Sequence, residues 1–132
     1  MFDFQLHLTF DPQKGPQQIQ ACLDAVRQKT RVLPTPDFNR FQHSFAHIFS
    51  GGYGAGYYSY LWAEVLAADA FSQFVEEGFK KGKFNPTVGR NFVESVLQLG
   101  GSVDILELFE KFQKRAPHQK AFLEQWGLPS TS

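Results

Sequence analysis

Apolar and polar positions alternate over the first ten residues, with Phe2, Phe4, Leu6, Leu8 and Phe10 on one phase. A period of two is a strand pattern, so alternation alone predicts β structure there. Asp11-Pro12 and Gly15-Pro16 then mark a turn. From Pro16 to about Arg31 the period changes. Ile19, Cys22, Leu23, Val26 and Thr30 recur at spacings of three and four, which is one stripe of a helix. Pro16 suits its first turn. Val32-Leu33-Pro34-Thr35-Pro36 is an extended linker, because a residue before proline is pushed out of the helical region.

A short helix follows, capped by Asp37 or Asn39 and running to about Phe49, with Phe41, Phe45, Ile48 and Phe49 on its apolar face. It ends in a loop with four glycines, Gly51, Gly52, Gly54 and Gly56. Each glycine costs a regular helix about 1 kcal/mol relative to alanine, so the backbone here bends or approaches a ligand closely. The longest predicted helix runs from about Ala55 to Glu77 and is apolar nearly all round, through Leu61, Trp62, Val65, Leu66, Ala68, Phe71, Phe74 and Val75. Such a helix is expected to be central and buried. Lys80, Lys81 and Lys83 read as a solvated basic loop. Asn85-Pro86 then opens a helix with the stripe Val88, Phe92, Val96 and Leu97. Gly100-Gly101 ends it. Ser102 caps the next helix, in which Ile105, Leu106, Leu108, Phe109 and Phe112 face inward and Lys111, Lys114 and Arg115 favour the C-terminal end. Pro117 opens a last helix closed by Gly127, and the tail from Leu128 to Ser132 is expected to fray. The whole reads as all-α, one helical region over residues 1–132, with about five to six helices.

Composition narrows the function classes. A chain of 132 residues fits one domain and is long enough for a real core. Fifteen phenylalanines imply large buried faces or a sizeable interface. Thirteen basic and thirteen acidic side chains cancel, which argues against nucleic acid as a partner. The N-terminus has no basic region of a signal peptide, and the longest apolar run, 57–68, is too short to span a bilayer. No membrane role and a cytoplasmic location are therefore expected. The lone Cys22 excludes an intrachain disulfide and sits in the apolar frame of a helix, where it reads as a small buried hydrophobe.

Candidate chemistry concentrates between His43 and Phe74. His43 and His47 are four apart, a spacing that zinc sites use on one helix face. Ser44, however, stands where a metalloprotease carries its glutamate base, and Glu64 is the nearest carboxylate for a third ligand. All four tyrosines, Tyr53, Tyr57, Tyr58 and Tyr60, also lie here. Tyr57 and Tyr60 are three apart, so on a continuous helix they share a side, and phenols there either line a core or donate hydrogen bonds to a ligand. The glycine loop does not read as a phosphate cradle, because it lacks GxxxxGK[ST].

Three stretches carry a resemblance: HIFSGGYGAGYYSYLWAEVLAADAF (47–71), FNPTVGRNFVESVLQLGGS (84–102) and LELFEKF (106–112). They resemble the C-terminal part of the zinc metallo-oligopeptidases of the oligopeptidase A and thimet oligopeptidase type, and the similarity runs from FDFQLHLTFDP to the last helix. The resemblance implies a mostly helical peptidase whose channel admits short peptides. It also implies zinc held by an HExxH helix and a following glutamate. This sequence contains no HExxH. It is therefore expected to be a C-terminal fragment that binds no zinc itself, is inactive alone, and has the missing zinc-binding portion as a partner. By the same resemblance, His47, Tyr53, Gly51, Gly52, Gly54 and Gly56 contact substrate, and Tyr57 or Tyr60 stabilises the oxyanion. The resemblance also replaces the strand expected for residues 2–10 with the end of a helix. Apolar faces left uncovered predict a homo-oligomer. Two other readings remain: a stand-alone helical peptide-binding or interaction module without catalysis, and a small metal-binding protein using His43 and His47.

Overall fold

The computed structural model describes residues 1–80 and 82–129. The chain forms two compact units, Met1–Ser59 and Tyr60–Ser132. Both are helical, and the described residues contain eight α-helices. The number exceeds the five to six expected because residues 2–9 add a helix and one predicted helix is divided in two.

In the first unit, α1 spans Phe2–Thr9 and α2 spans Gln17–Thr30. The alternation of residues 2–10 is thus not a strand. As a helix, the same residues put Phe2 and Leu6, one turn apart, into the core with Leu23, Val26 and Ile48. Phe4, Leu8 and Phe10, the rest of the alternating set, stay exposed. The α2 stripe is as the spacing predicts, with Leu23 and Val26 buried and Ile19 and Cys22 packed against them. Burial pushes the Cys22 thiol above its ordinary pKa, so it is the inert small hydrophobe that its position implies.

Asn39 supports the start of the next helix by accepting the Phe41 N–H at 3.2 Å, and Arg27 holds the same oxygen at 2.6 Å. The predicted helix does not continue. Phe45 leaves the helical region at φ −85°, ψ 62°, which divides it into α3 (Phe41–Ser44) and α4 (Ala46–Phe49). The break turns Phe45 to pack with Phe2 (6.5 Å between ring centroids) and Phe41 (4.8 Å).

The second unit is built on α5, Ser59–Gln73, which continues as a wider i→i+5 turn over Phe74–Gly78. The expected burial of this helix is not found. Ala68 and Asp69 are buried, whereas Leu61, Trp62, Phe71 and Val75 are each more than half exposed. A helix apolar on every side needs partners on every side, and the described residues cover one. The basic stretch forms a small antiparallel ladder, Phe79–Lys80 with Lys83–Phe84; Lys81 and the tail Ser130–Ser132 lie outside the described residues.

Asn85 caps α6 (Pro86–Phe92) by accepting the Thr87 N–H, as predicted. Its stripe fails at the end because Val93–Leu97 widens into an i→i+5 turn, with Gln98 N–H bonded to the Val93 carbonyl at 2.9 Å. One extra residue per turn shifts the phase, so Ser95 is buried and Leu97 exposed. Asp104, not Ser102, caps α7 (Ile105–Gln113), accepting the Leu106 N–H at 2.8 Å. Leu108, Phe109 and Phe112 are buried as expected, but Ile105 and Leu106 are exposed. The last helix, α8 (Lys120–Gln125), starts three residues after Pro117. Phe74, Phe92 and Phe112 form an aromatic trio with centroids 5.1–5.9 Å apart.

Asp69 lies in the middle of the apolar helix and is fully buried. Its carboxylate takes a bidentate pair of bonds from Arg115 (2.6 and 2.8 Å) and the His118 backbone N–H (2.9 Å). Burial pushes its pKa up, but the Arg115 and His118 hydrogen bonds and charges outweigh that and hold it below the ordinary carboxylate range. Arg115, expected only to favour a helix end, is thus the partner of a desolvated acid. Asp69→Asn keeps the shape and removes the charge, and is expected to cost about 2–3 kcal/mol in urea unfolding. Because the folded pKa is depressed, the stabilisation is full above the unfolded value of about 3.9 and disappears as pH falls through the folded value. The stability gap between wild type and Asp69→Asn should therefore narrow steadily below about pH 4.

Candidate active-site loop

Residues 50–58 form the turn that follows α4. Its start is tied back to the helix: Ser50 and Gly51 N–H groups both reach the Ala46 carbonyl (2.8 and 2.9 Å), and Tyr53 N–H reaches the His47 carbonyl at 3.0 Å. Gly51 is required by close approach, since a Cβ there would lie 2.9 Å from the His47 Cα. Gly52 is required by conformation, with φ +78°. A Cβ at Gly54 would lie 2.8 Å from the His7 Nε2, whereas one at Gly56 meets nothing nearer than 3.6 Å.

The loop gathers three predicted site residues. The His47 ring lies 6.0 Å from Tyr53 and 5.4 Å from Tyr57, the latter edge-on, and Phe45 meets Tyr57 edge-on at 4.7 Å. These rings are part-exposed or at the surface, so the cluster presents aromatic faces and phenol groups at an open site. Tyr57 precedes the helix instead of lying on it: α5 begins at Ser59, and Ala55 adopts φ +55°. The expectation that Tyr57 and Tyr60 sit on consecutive turns of one helix therefore does not hold. Tyr60 is on the first turn of α5, in the second unit, and is exposed.

The two histidines do not make a helical metal pair. His43 lies on α3 and His47 on α4, with the Phe45 break between them. Glu64 is an exposed residue of α5. Among the described residues no three His, Cys, Asp or Glu side chains gather as a metal-binding group.

Two residues that the sequence did not single out contact the loop from α1. Asp3, 7 % exposed, accepts the Ala55 N–H at 2.8 Å and the Tyr57 N–H at 3.0 Å. His7, one turn on, bonds through Nδ1 to the Asp3 backbone carbonyl at 2.9 Å, with the carboxylate Oδ1 equally close. The only sequence signal was a charged residue inside an apolar ten-residue stretch.

The glycine requirements predict a graded series in thermal or urea unfolding. Gly51→Ala should cost about 1–3 kcal/mol through overlap with backbone, Gly52→Ala about 1 kcal/mol through strain at positive φ, and Gly56→Ala less than about 0.5 kcal/mol.

The model for Peptidase family M3 matches residues 1–128 of the chain. Oligopeptidase A of Salmonella typhimurium is 47% identical over 128 residues, which is 97% of this chain and 18% of that protein. The organellar oligopeptidase A of Arabidopsis thaliana is 43% identical over 130 residues, 98% of this chain and 16% of its own length. Dipeptidyl carboxypeptidase of Escherichia coli is 42% identical over 84 residues, 64% of this chain. The chain spans under a fifth of the length of these relatives. No described helix is long and apolar enough to cross a membrane. With the match running across nearly every residue, the chain belongs to peptidase family M3.

Proposed function

We propose that this chain supplies the substrate-side wall of a zinc-dependent oligopeptidase that cleaves short peptides. His47, Tyr53 and the glycines Gly51, Gly52, Gly54 and Gly56 form a peptide-binding loop. Tyr57 or Tyr60 donates its phenol hydrogen to the scissile carbonyl oxygen as negative charge builds there. The observation that supports this most is the aromatic set of His47, Tyr53 and Tyr57 on an exposed glycine-rich turn.

Family M3 enzymes depend on zinc. The residues of this chain do not fit that ion, because His43 and His47 lie on separate helices and the sequence has no HExxH. The metal ligands and the base belong to another portion, and the isolated chain is inactive. The exposed apolar residues of α5, Leu61, Trp62 and Phe71 among them, are the surface that such a portion, or a second copy of this chain, covers.

Adding an HExxH-bearing oligopeptidase A portion in trans should restore cleavage of a quenched fluorescent peptide. In that mixture, Tyr57→Phe or Tyr60→Phe, whichever carries the oxyanion role, should lower kcat about a hundredfold to a thousandfold. If the chain binds peptide but no added portion restores cleavage, it is a binding module instead. If both tyrosine variants keep full kcat, the oxyanion assignment is wrong. Sizing of the isolated chain should show dimers or larger species, and a monomer at high concentration would remove the self-association.

A further inference from the structure

α1 carries two sets of side chains one turn apart. Phe2 and Leu6 enter the core, while Asp3 and His7 face the loop. The loop residues that Asp3 holds lie 52 and 54 positions away in the chain. Two N–H groups from residues two apart, converging on one carboxylate, make the concave amide arrangement that binds anions. Here the anion is a side chain of the protein. Ala55, between the glycines, sits at φ +55°, a conformation unfavourable for a residue with a Cβ. The Asp3 bond to its N–H holds it there. His7 occupies the other side: its Nδ1 contacts Asp3, and its Nε2 fills the space that a Gly54 side chain would need.

We infer that Asp3 and His7 form a clamp on the 54–57 turn and that Asp3 is a positioning residue for Tyr57. The inference rests on the reading of this turn as the peptide-binding loop, but its geometry is tested separately. The clamp fixes the Tyr57 backbone through a charge-assisted hydrogen bond, and the ring then meets Phe45 and His47 edge-on. It sets where the phenol points without touching the substrate.

The test uses the 132-residue chain and its NMR spectrum. In Asp3→Asn, which keeps size and one acceptor oxygen, Ala55 and Tyr57 amide exchange should accelerate about tenfold. The Tyr57 ring protons should shift as their edge contact with His47 changes, while Leu23 and Val26 amides in α2 keep their protection. Gly54→Ala should displace the turn and produce the same ring shift. Pairing it with His7→Ala, which empties the contested space, should return the Tyr57 signals toward wild type. Unchanged Tyr57 exchange and ring shifts in Asp3→Asn would overturn the inference. So would a His7→Ala/Gly54→Ala double variant no closer to wild type than Gly54→Ala alone. Titration with penta-alanine tests the underlying reading. If wild type shows no shift of loop signals, the peptide-binding proposal fails and the clamp is still decided by the exchange data. If wild type binds and Asp3→Asn binds equally well despite a displaced Tyr57, the positioning role is overturned while peptide binding stands.

Discussion

Each unit depends on a carboxylate taken out of water and given donors in return. Burying a charge costs several kcal/mol unless hydrogen bonds and opposite charge replace its hydration. Asp69 has a guanidinium in bidentate geometry and a backbone N–H. Asp3 has two backbone N–H groups. In both cases the acid sits on a helix and its donors come from a later, irregular segment. A buried acid with specific donors accepts few alternative arrangements, so it fixes where a loop lies more tightly than apolar contact does. Asp3 fixes the turn that carries Tyr57, and Asp69 fixes the segment joining α7 to α8.

The rest of the architecture follows from packing around these points. Phe2, Leu6, Leu23, Val26 and Ile48 form one core, and Phe74, Phe92 and Phe112 meet in the other unit. The many phenylalanines are therefore only partly used internally. Trp62, at 55% exposure, and its neighbours on α5 remain as apolar surface. That is the property expected of a chain that spans under a fifth of its relatives, and it is why covering that surface belongs with the proposed partner portion.

The candidate site was legible as composition and only partly as geometry. Tyrosines, glycines and a histidine crowded into residues 47–60 mark the loop without any structure. The metal reading of His43 and His47 depended on a continuous helix, and Phe45 breaks it. The shared helical side of Tyr57 and Tyr60 failed for a similar reason, because the α5 helix starts after Tyr57. Both errors come from treating spacing as geometry. A period is informative only while the backbone stays regular, and one residue outside the helical region resets it.

By itself the sequence determined the family, the helical class, the α2 stripe and the Asn85 cap, because these rest on local propensity or on a long shared pattern. It left the state of residues 2–10 open: alternation favoured a strand, and only the resemblance favoured the helix that is found. Tertiary structure decided which helical faces are covered, where two helices widen into i→i+5 turns, and what Asp3 and Asp69 are for. The roles of Asp3 and Asp69 depend on donors 46 or more residues away in the chain, and no local window contains both halves of such a bond.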